Sequence, residues 1–259
     1  MPTVSGYVKR RGRPERGSIP DALGMFRAEV RFYREIAPVA GVRVPACYQA
    51  SECAGGTLLV LEDLSAWQRG GDPVAAAGLL AGMHRRWEGQ AAVRWPWLRP
   101  SGAGSDLIER QYGRVWPQLA GRGDLPPGLV ALGTRLAGRV AAACAAAGRA
   151  GPVTLVHGDA STANMRTGPA GELAFLDWED VSAAPGAADL AWLLVSSVDP
   201  ARWDQVIAAY GPAGGLRDVL PAVMVQGLLS LADAAAGSPG AAAWISRLNE
   251  AARRVMPAG

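Results

Sequence analysis

The stretch HGDASTANMRTGPAGELAFLDWED, residues 157–180, holds one histidine, five acids and a single asparagine. Within it Asp159, Asn164 and Asp177 are the residues whose types could do chemistry together. A sharp turn after Val156 leaves Asp159 on a loop. Five residues on, Asn164 enters a strand, and Asp177 ends the strand that returns across a GPAG turn. A hairpin of this length brings its far end back to its start, so Asn164 and Asp177 can meet with Asp159 projecting beside them. Carboxylate and amide oxygens are hard donors that suit Mg²⁺, which completes its shell with water and phosphate oxygens. Zinc would want histidine or cysteine here. An aspartate at the acceptor hydroxyl, an asparagine five residues later and a second, metal-holding aspartate make up the phosphoryl-transfer pattern.

Three such groups need a scaffold. TVSGYVKR, residues 3–10, reads as a strand ending at or near Lys9, followed by a Gly/Pro/Arg loop. In DALGMFRAEVRFYREIAP, Phe26, Val30, Tyr33 and Ala37 share one helical face, Glu29 flanks it, and Pro38 lies just past the end. VPACYQASE and TLLVLEDL, on either side of Gly55-Gly56, predict a hairpin whose second strand is apolar enough to be central in a sheet. Beyond Asp63 the chain turns Ala/Leu-rich with helical spacing. Examples are DPVAAAGLLAGMHRRWEG, the run Leu129, Leu132, Leu136, Val140, and the run Trp244, Leu248, Ala251, Val255. A buried-strand pattern, PVTLVHGD, and the hairpin interrupt these helices, with Leu173, Phe175 and Asp177 alternating onto one face. The expected class is α+β: a strand-rich lobe over residues 1–62, then a mainly helical lobe over 63–259.

Composition narrows the function classes. A chain of 259 residues with 49% hydrophobic content can bury a sizeable core. Its net charge of +3 comes from 26 bases and 23 acids spread along the chain, not from the clustered basic face of a nucleic-acid binder. The densest basic run, Arg10, Arg11, Arg13 and Arg16, reads as a solvated loop. Apolar runs such as LAWLLV at 190–195 are far too short to span a membrane, and no apolar signal segment opens the chain. A cytoplasmic monomer or homodimer is expected. Cys47, Cys53 and Cys144 are odd in number and lack CxxC spacing, which predicts buried free thiols and neither a zinc site nor a disulfide framework. Lys9 is the single lysine among the 26 bases. It is either a chance survivor or a place where guanidinium cannot serve.

HGDASTAN at 157–164, FLDWED at 175–180 and PGAADLAWLL at 185–194 resemble the aminoglycoside phosphotransferase and choline kinase-like family of small-molecule kinases, which shares the protein-kinase fold. The likeness runs back through LAGMHRRW at 80–87, LLVLEDL at 58–64 and FRAEVRFYREIAP at 26–38, covering most of residues 9–195. It implies a two-lobe fold with a reduced N-terminal nucleotide-binding β lobe and a helical lobe carrying the catalytic hairpin and substrate pocket. By the same resemblance Asp159 is the catalytic aspartate, while Asn164 and Asp177 hold Mg²⁺ on the phosphates of ATP and Asp189 braces the catalytic loop. Lys9 reaches the phosphates with Glu29 as its ion-pair partner, and the backbone around Val60 and Glu62 binds the adenine edge.

The implied activity is ATP-dependent O-phosphotransfer to a hydroxyl of a small metabolite or antibiotic, such as an aminoglycoside, nucleoside or peptide antibiotic, in resistance or biosynthesis. A catalytically weak kinase-like module that binds nucleotide or a small molecule is the alternative, and retention of Asp159 argues against it. Only eleven residues separate Asp177 from Asp189, which disfavours a protein kinase with its long activation loop. The family carries a glycine-containing nucleotide loop before the lysine strand, whereas eight residues precede Lys9. The expectation is either a start upstream of Met1 or a nucleotide bound under an open roof. His157 is expected to shape its loop and His84 to be structural. Glu179 and Asp180 either line the acceptor pocket or are solvated, and Trp178 is the tryptophan expected to touch the site.

Overall fold

The computed structural model describes residues 6–255, so residues 3–5 of the expected first strand and the two chain ends lie outside the described residues. Strand β1 (Gly6–Gly12), β2 (Cys47–Cys53) and β3 (Gly56–Glu62) form an antiparallel sheet in the order β1-β3-β2. The central place of β3 follows from its sequence, since Leu59 and Leu61 are both buried and polar edges flank them. The first strand runs past Lys9, because Arg10, Arg11 and Gly12 go on pairing with Leu58, Thr57 and Gly56. Lys9 itself stands opposite Leu59.

The helix Met25–Arg31 packs on this sheet and continues into a π turn, Phe32–Ile36. There the Ala37 N–H reaches back five residues to the Phe32 carbonyl. The extra residue in that turn rotates Phe32 and Ile36 inward beside Val30 and Tyr33, so the buried face is broader than a regular helical stripe predicts. Glu29 shares this buried face at 2% exposure.

The rest of the chain is mainly helical. Asp72 accepts the Ala75 N–H and caps the helix Pro73–Trp87, whose proline at the first turn costs no hydrogen bond. Leu129, Leu132, Leu136 and Val140 are all buried, yet they lie on two helices, Pro127–Leu136 and Val140–Ala147, bent by 86° at left-handed Gly138. Apolar spacing alone carries no record of that break. Helices Ala187–Ser197, Trp203–Tyr210, Leu216–Ala232 and Pro239–Val255 complete the layer around one continuous apolar core.

Two further three-stranded sheets sit among these helices. One joins β4 (Gln68–Arg69) to the expected hairpin, β7 (Met165–Thr167) and β8 (Leu173–Phe175). The other joins β5 (Arg99–Pro100), β9 (Ser182–Pro185) and β6 (Val153–Val156). β5 and β9 have no β-branched or alternating signature and are strands only because β6 offers β9 an edge and β9 in turn offers one to β5. Cys47 and Cys144 are half-buried and Cys53 is exposed, all three free, so the expected full burial of the thiols is not found. No single helix among the described residues is long and apolar enough to cross a membrane.

Candidate active site

β6 ends in buried Leu155 and Val156, and the chain then turns at His157-Gly158. Gly158 has φ of 87°, and a Cβ there would sit 2.2 Å from the Asp180 carbonyl oxygen, so only glycine fits this turn. His157 is fully buried. Its Nδ1 accepts the Asp159 N–H at 3.2 Å and its Nε2 lies 2.9 Å from the Leu176 carbonyl, an arrangement that one tautomer, protonated at Nε2, satisfies. The ring therefore shapes the loop, as expected.

Asp189, in the first turn of the helix Ala187–Ser197, is 1% exposed and accepts the N–H groups of His157 at 2.7 Å and Gly158 at 2.9 Å. His84 Nε2 stands 3.1 Å from the same carboxylate, and its Nδ1 is 2.8 Å from the Tyr210 hydroxyl. Burial alone would push the Asp189 carboxyl up, but the hydrogen bond and charge of His84 and the Gly158 amide outweigh it and hold the group below the ordinary aspartate value. A group depressed on folding contributes stability above its unfolded value of about 3.9, and that contribution is lost as pH falls through the folded value. Urea midpoints of the wild type should accordingly fall as pH drops below about 4. Asp189→Asn should lower stability by about 3 kcal/mol at neutral pH and flatten this acid limb. Parallel curves for the two proteins would exclude the role.

Asp159 is held from two sides. Its Oδ2 accepts Asn164 Nδ2 at 2.8 Å, and its Oδ1 accepts the Trp192 indole N–H. Trp192 was missed by sequence reasoning, although it lies three residues after Asp189 on the same helix and so faces the same loop. Trp178, the tryptophan expected at the site, is fully buried and lines neither cleft described below. It stacks on Phe32 at 4.0 Å between centroids and lies 4.3 Å from the His157 ring, tying the helix Met25–Arg31 and its π turn to the His157–Asp159 turn.

Asn164 closes a 3₁₀ turn, and its carbonyl accepts the Leu176 N–H at 2.8 Å, which joins the two ends of the hairpin. β8 stops at Phe175, and Asp177 does not continue the alternation of Leu173 and Phe175. It adopts φ 59° and ψ 69°, the one non-glycine residue with positive φ among the described residues. Such a conformation costs on the order of 1–3 kcal/mol and persists where other contacts determine it. Here the contact is Lys9, whose Nζ lies 2.8 Å from Asp177 and 2.7 Å from Glu29.

The carboxylates of Glu29, Asp177 and Glu179 lie close enough together to suggest a metal centre, but the Lys9 ammonium already occupies their midst, 3.9 Å from Glu179. Arg11 adds a second cation on Glu179 at 2.7 Å. Burial, and then the charge of Asp177, push the Glu179 carboxyl up to about 7 despite these partners. The arginine-rich segment is thus only partly a solvated loop. Arg11 bridges to the hairpin, while Arg10 and Arg16 are exposed.

A cleft of about 470 Å³ opens between the N-terminal sheet and the hairpin. Lys9, Glu29, Asn164 and Asp177 line it, together with the backbone segment Leu61–Ser65. Val60 lies just outside it, on the face of β3 opposite buried Leu59 and Leu61. Asn164 Oδ1 and Asp177 Oδ2 accept no hydrogen bond among the described residues, while their partner atoms are engaged. Two unspent hard oxygens on one cleft wall fit a divalent cation of the Mg²⁺ kind. A second cavity, of about 180 Å³, lies across the loop that carries Asp159, with Gly158, Asp180 and Trp192 in its wall. Glu179 therefore turns toward Lys9, and Asp180 toward this second cavity.

The sequence profile described as the phosphotransferase enzyme family matches residues 6–224. Among solved structures the chain is similar to a microcompartment-associated aminopropanol kinase (15% identity, 95% of this chain and 82% of that one, TM-score 0.55). It is also similar to a choline/ethanolamine kinase family protein from Mesorhizobium loti (18% identity, 90% and 79% covered, TM-score 0.51). A third likeness is to a spectinomycin phosphotransferase in complex with ADP and spectinomycin (11% identity, 96% and 93% covered, TM-score 0.50). Identities this low establish the fold, an α+β protein-kinase-like one. A comparison with curated proteins found no match.

Proposed function

Because this chain belongs to the phosphotransferase enzyme family, a family of small-molecule kinases, we propose that it is an ATP-dependent O-phosphotransferase acting on a hydroxyl of a small molecule. The observation that carries this reading is the convergence, on one turn and hairpin, of Asp159, Asn164 and Asp177 beneath a lysine delivered from the N-terminal sheet. The ADP held by the structurally similar spectinomycin phosphotransferase supports a nucleotide in the larger cleft. Residues 6–62 would form the nucleotide lobe and the remaining residues the catalytic and acceptor lobe.

The adenine edge would meet the backbone between Glu62 and Ser65. The Glu62 N–H is committed to the Ala46 carbonyl at 2.7 Å and the Ser65 N–H to the Asp63 carboxylate at 2.8 Å. Within this segment the Leu64 N–H has no acceptor among the described residues, and it lies a step beyond the Val60 and Glu62 positions expected from sequence. Lys9, oriented by Glu29, would place its ammonium on the phosphates, and Asn164 Oδ1 with Asp177 Oδ2 would hold Mg²⁺. The metal would neutralise charge on the phosphate oxygens as they separate. Asp159, with Asn164 and Trp192 fixing its two oxygens, would orient the acceptor hydroxyl and take its proton as the new O–P bond forms and the bond to ADP breaks. Positioning and charge neutralisation do most of this work. Such chemistry suits the ATP-rich cytosol.

Incubation with ATP, Mg²⁺ and a panel of hydroxylated antibiotics and metabolites should give a mass gain of one phosphate on at least one acceptor, abolished by EDTA. Tight ATP binding with no transfer to any acceptor would favour the nucleotide-binding module.

A further inference from the structure

Tyr7, Lys9 and Arg11 alternate along β1 and all three line the larger cleft, whereas Val8 and Arg10 between them do not. In the pairing with β3, Tyr7 stands opposite Leu61, Lys9 opposite Leu59 and Arg11 opposite Thr57. β3 leads into the backbone of residues 62–65, so Tyr7 is nearest that segment and Arg11 lies two residues, about 7 Å, beyond Lys9. The Arg11 guanidinium is held from two sides. Its Cζ lies 4.7 Å from the centroid of the Phe26 ring, and its Nη2 donates to Glu179 Oε2 at 2.7 Å. Its Nε and Nη1 have no hydrogen-bond partner among the described residues and remain open to solvent, the side chain being 33% exposed. Lys9 Nζ lies 3.9 Å from the same Glu179 oxygen, so the two cations converge with one carboxylate offsetting their repulsion.

On the phosphotransferase reading, from which this inference proceeds, adenine lies at residues 62–65 and the phosphates at Lys9. We propose that Arg11 holds the terminal phosphate of ATP, its Nε or Nη1 donating to the phosphate oxygens while Nη2 stays on Glu179. The strand fixes the direction. A nucleotide that runs from the 62–65 backbone past Tyr7 to Lys9 meets Arg11 next, at its outer end. A guanidinium suits this place because its donors are spread around a rigid plane, so that one remains on the carboxylate while others face the cleft. A cation fixed there in advance stabilises the charge on the phosphoryl oxygens as the group leaves ADP.

Calorimetric titration with Mg²⁺ and either AMP-PNP, an ATP analogue that resists transfer, or ADP separates this contact from the rest of the site, because ADP lacks the phosphate that Arg11 would hold. Arg11→Gln should raise the Kd for AMP-PNP tenfold or more, the size of one charge-assisted contact, and leave the Kd for ADP within threefold of wild type. Retained ADP binding also shows that the variant folds. Glu179→Gln, which cuts the same ion pair but leaves Arg11 in place, should not discriminate between the two nucleotides. An Arg11→Gln protein that weakens both nucleotides equally, or neither, would overturn the assignment, as would a Glu179→Gln protein with the same selective loss. In each of those cases a wild type that binds both nucleotides leaves the phosphotransferase reading standing. A wild type that binds neither nucleotide would overturn that reading and the Arg11 assignment with it.

Discussion

Asp159→Asn should lower kcat by about three orders of magnitude while leaving the KM for ATP within threefold of wild type. The asymmetry follows from geometry. Asp159 touches His157, Asn164 and Trp192 but does not line the larger cleft, so a nucleotide bound there loses little when it changes. The loss falls on the acceptor. An asparagine retains one acceptor oxygen for Trp192 or Asn164 but cannot take a proton, and its amide nitrogen confronts the other donor. A general base of this kind contributes about 10²–10⁴ in rate, and misorientation of the hydroxyl adds to the loss. Single-turnover rates with labelled ATP, beside nucleotide binding by calorimetry, separate the two effects. A kcat within tenfold of wild type would exclude Asp159 as the base.

Lys9→Arg should reduce kcat/KM for ATP roughly 10- to 100-fold, corresponding to loss of a charge-assisted contact of about 1.5–3 kcal/mol. The substitution preserves charge and tests shape. Lys9 is 14% exposed at its side chain and sits 2.7–2.8 Å from two carboxylates on different elements, Glu29 on a helix and Asp177 after the hairpin. Burial opposes its positive charge, yet Glu29 and Asp177 together hold the ammonium above the ordinary lysine value, so it stays protonated at neutral pH. A planar guanidinium is wider and cannot fill the same point between them without displacing one. Far-ultraviolet circular dichroism should be unchanged. An arginine variant with full activity would show that any cation serves and that the single lysine of the sequence is a survivor of chance.

Much of the site was legible because it is local. Asp159, Asn164 and Asp177 belong to one turn and one hairpin, and hairpin geometry returns its ends to each other whatever the rest of the fold does. The continuous apolar run of β3 likewise announced a central strand, and the Ala/Leu-rich run from Pro73 announced its helix. Other features escaped for physical reasons. The π turn at Phe32–Ile36 shifts the buried face by one residue without any residue type that marks it. Trp178 and Trp192 are both tryptophans near acidic motifs. Only packing against Phe32 and His157 makes the first structural, and only the turn that faces Asp159 sets the second on the Asp159 carboxylate.

By itself the sequence determined the oxygen donors, the turn that exposes Asp159, the lone ammonium and the class of chemistry these could perform. Those properties depend on residue identity and on spacings of a few residues. The tertiary structure alone decided that Lys9 meets an aspartate 168 positions away, that Asp177 takes a left-handed backbone, and that Arg99 is left with a buried, unanswered donor. Each of these depends on burial and on elements distant in the chain, because the energy of a charge or a donor is set by what surrounds it after folding.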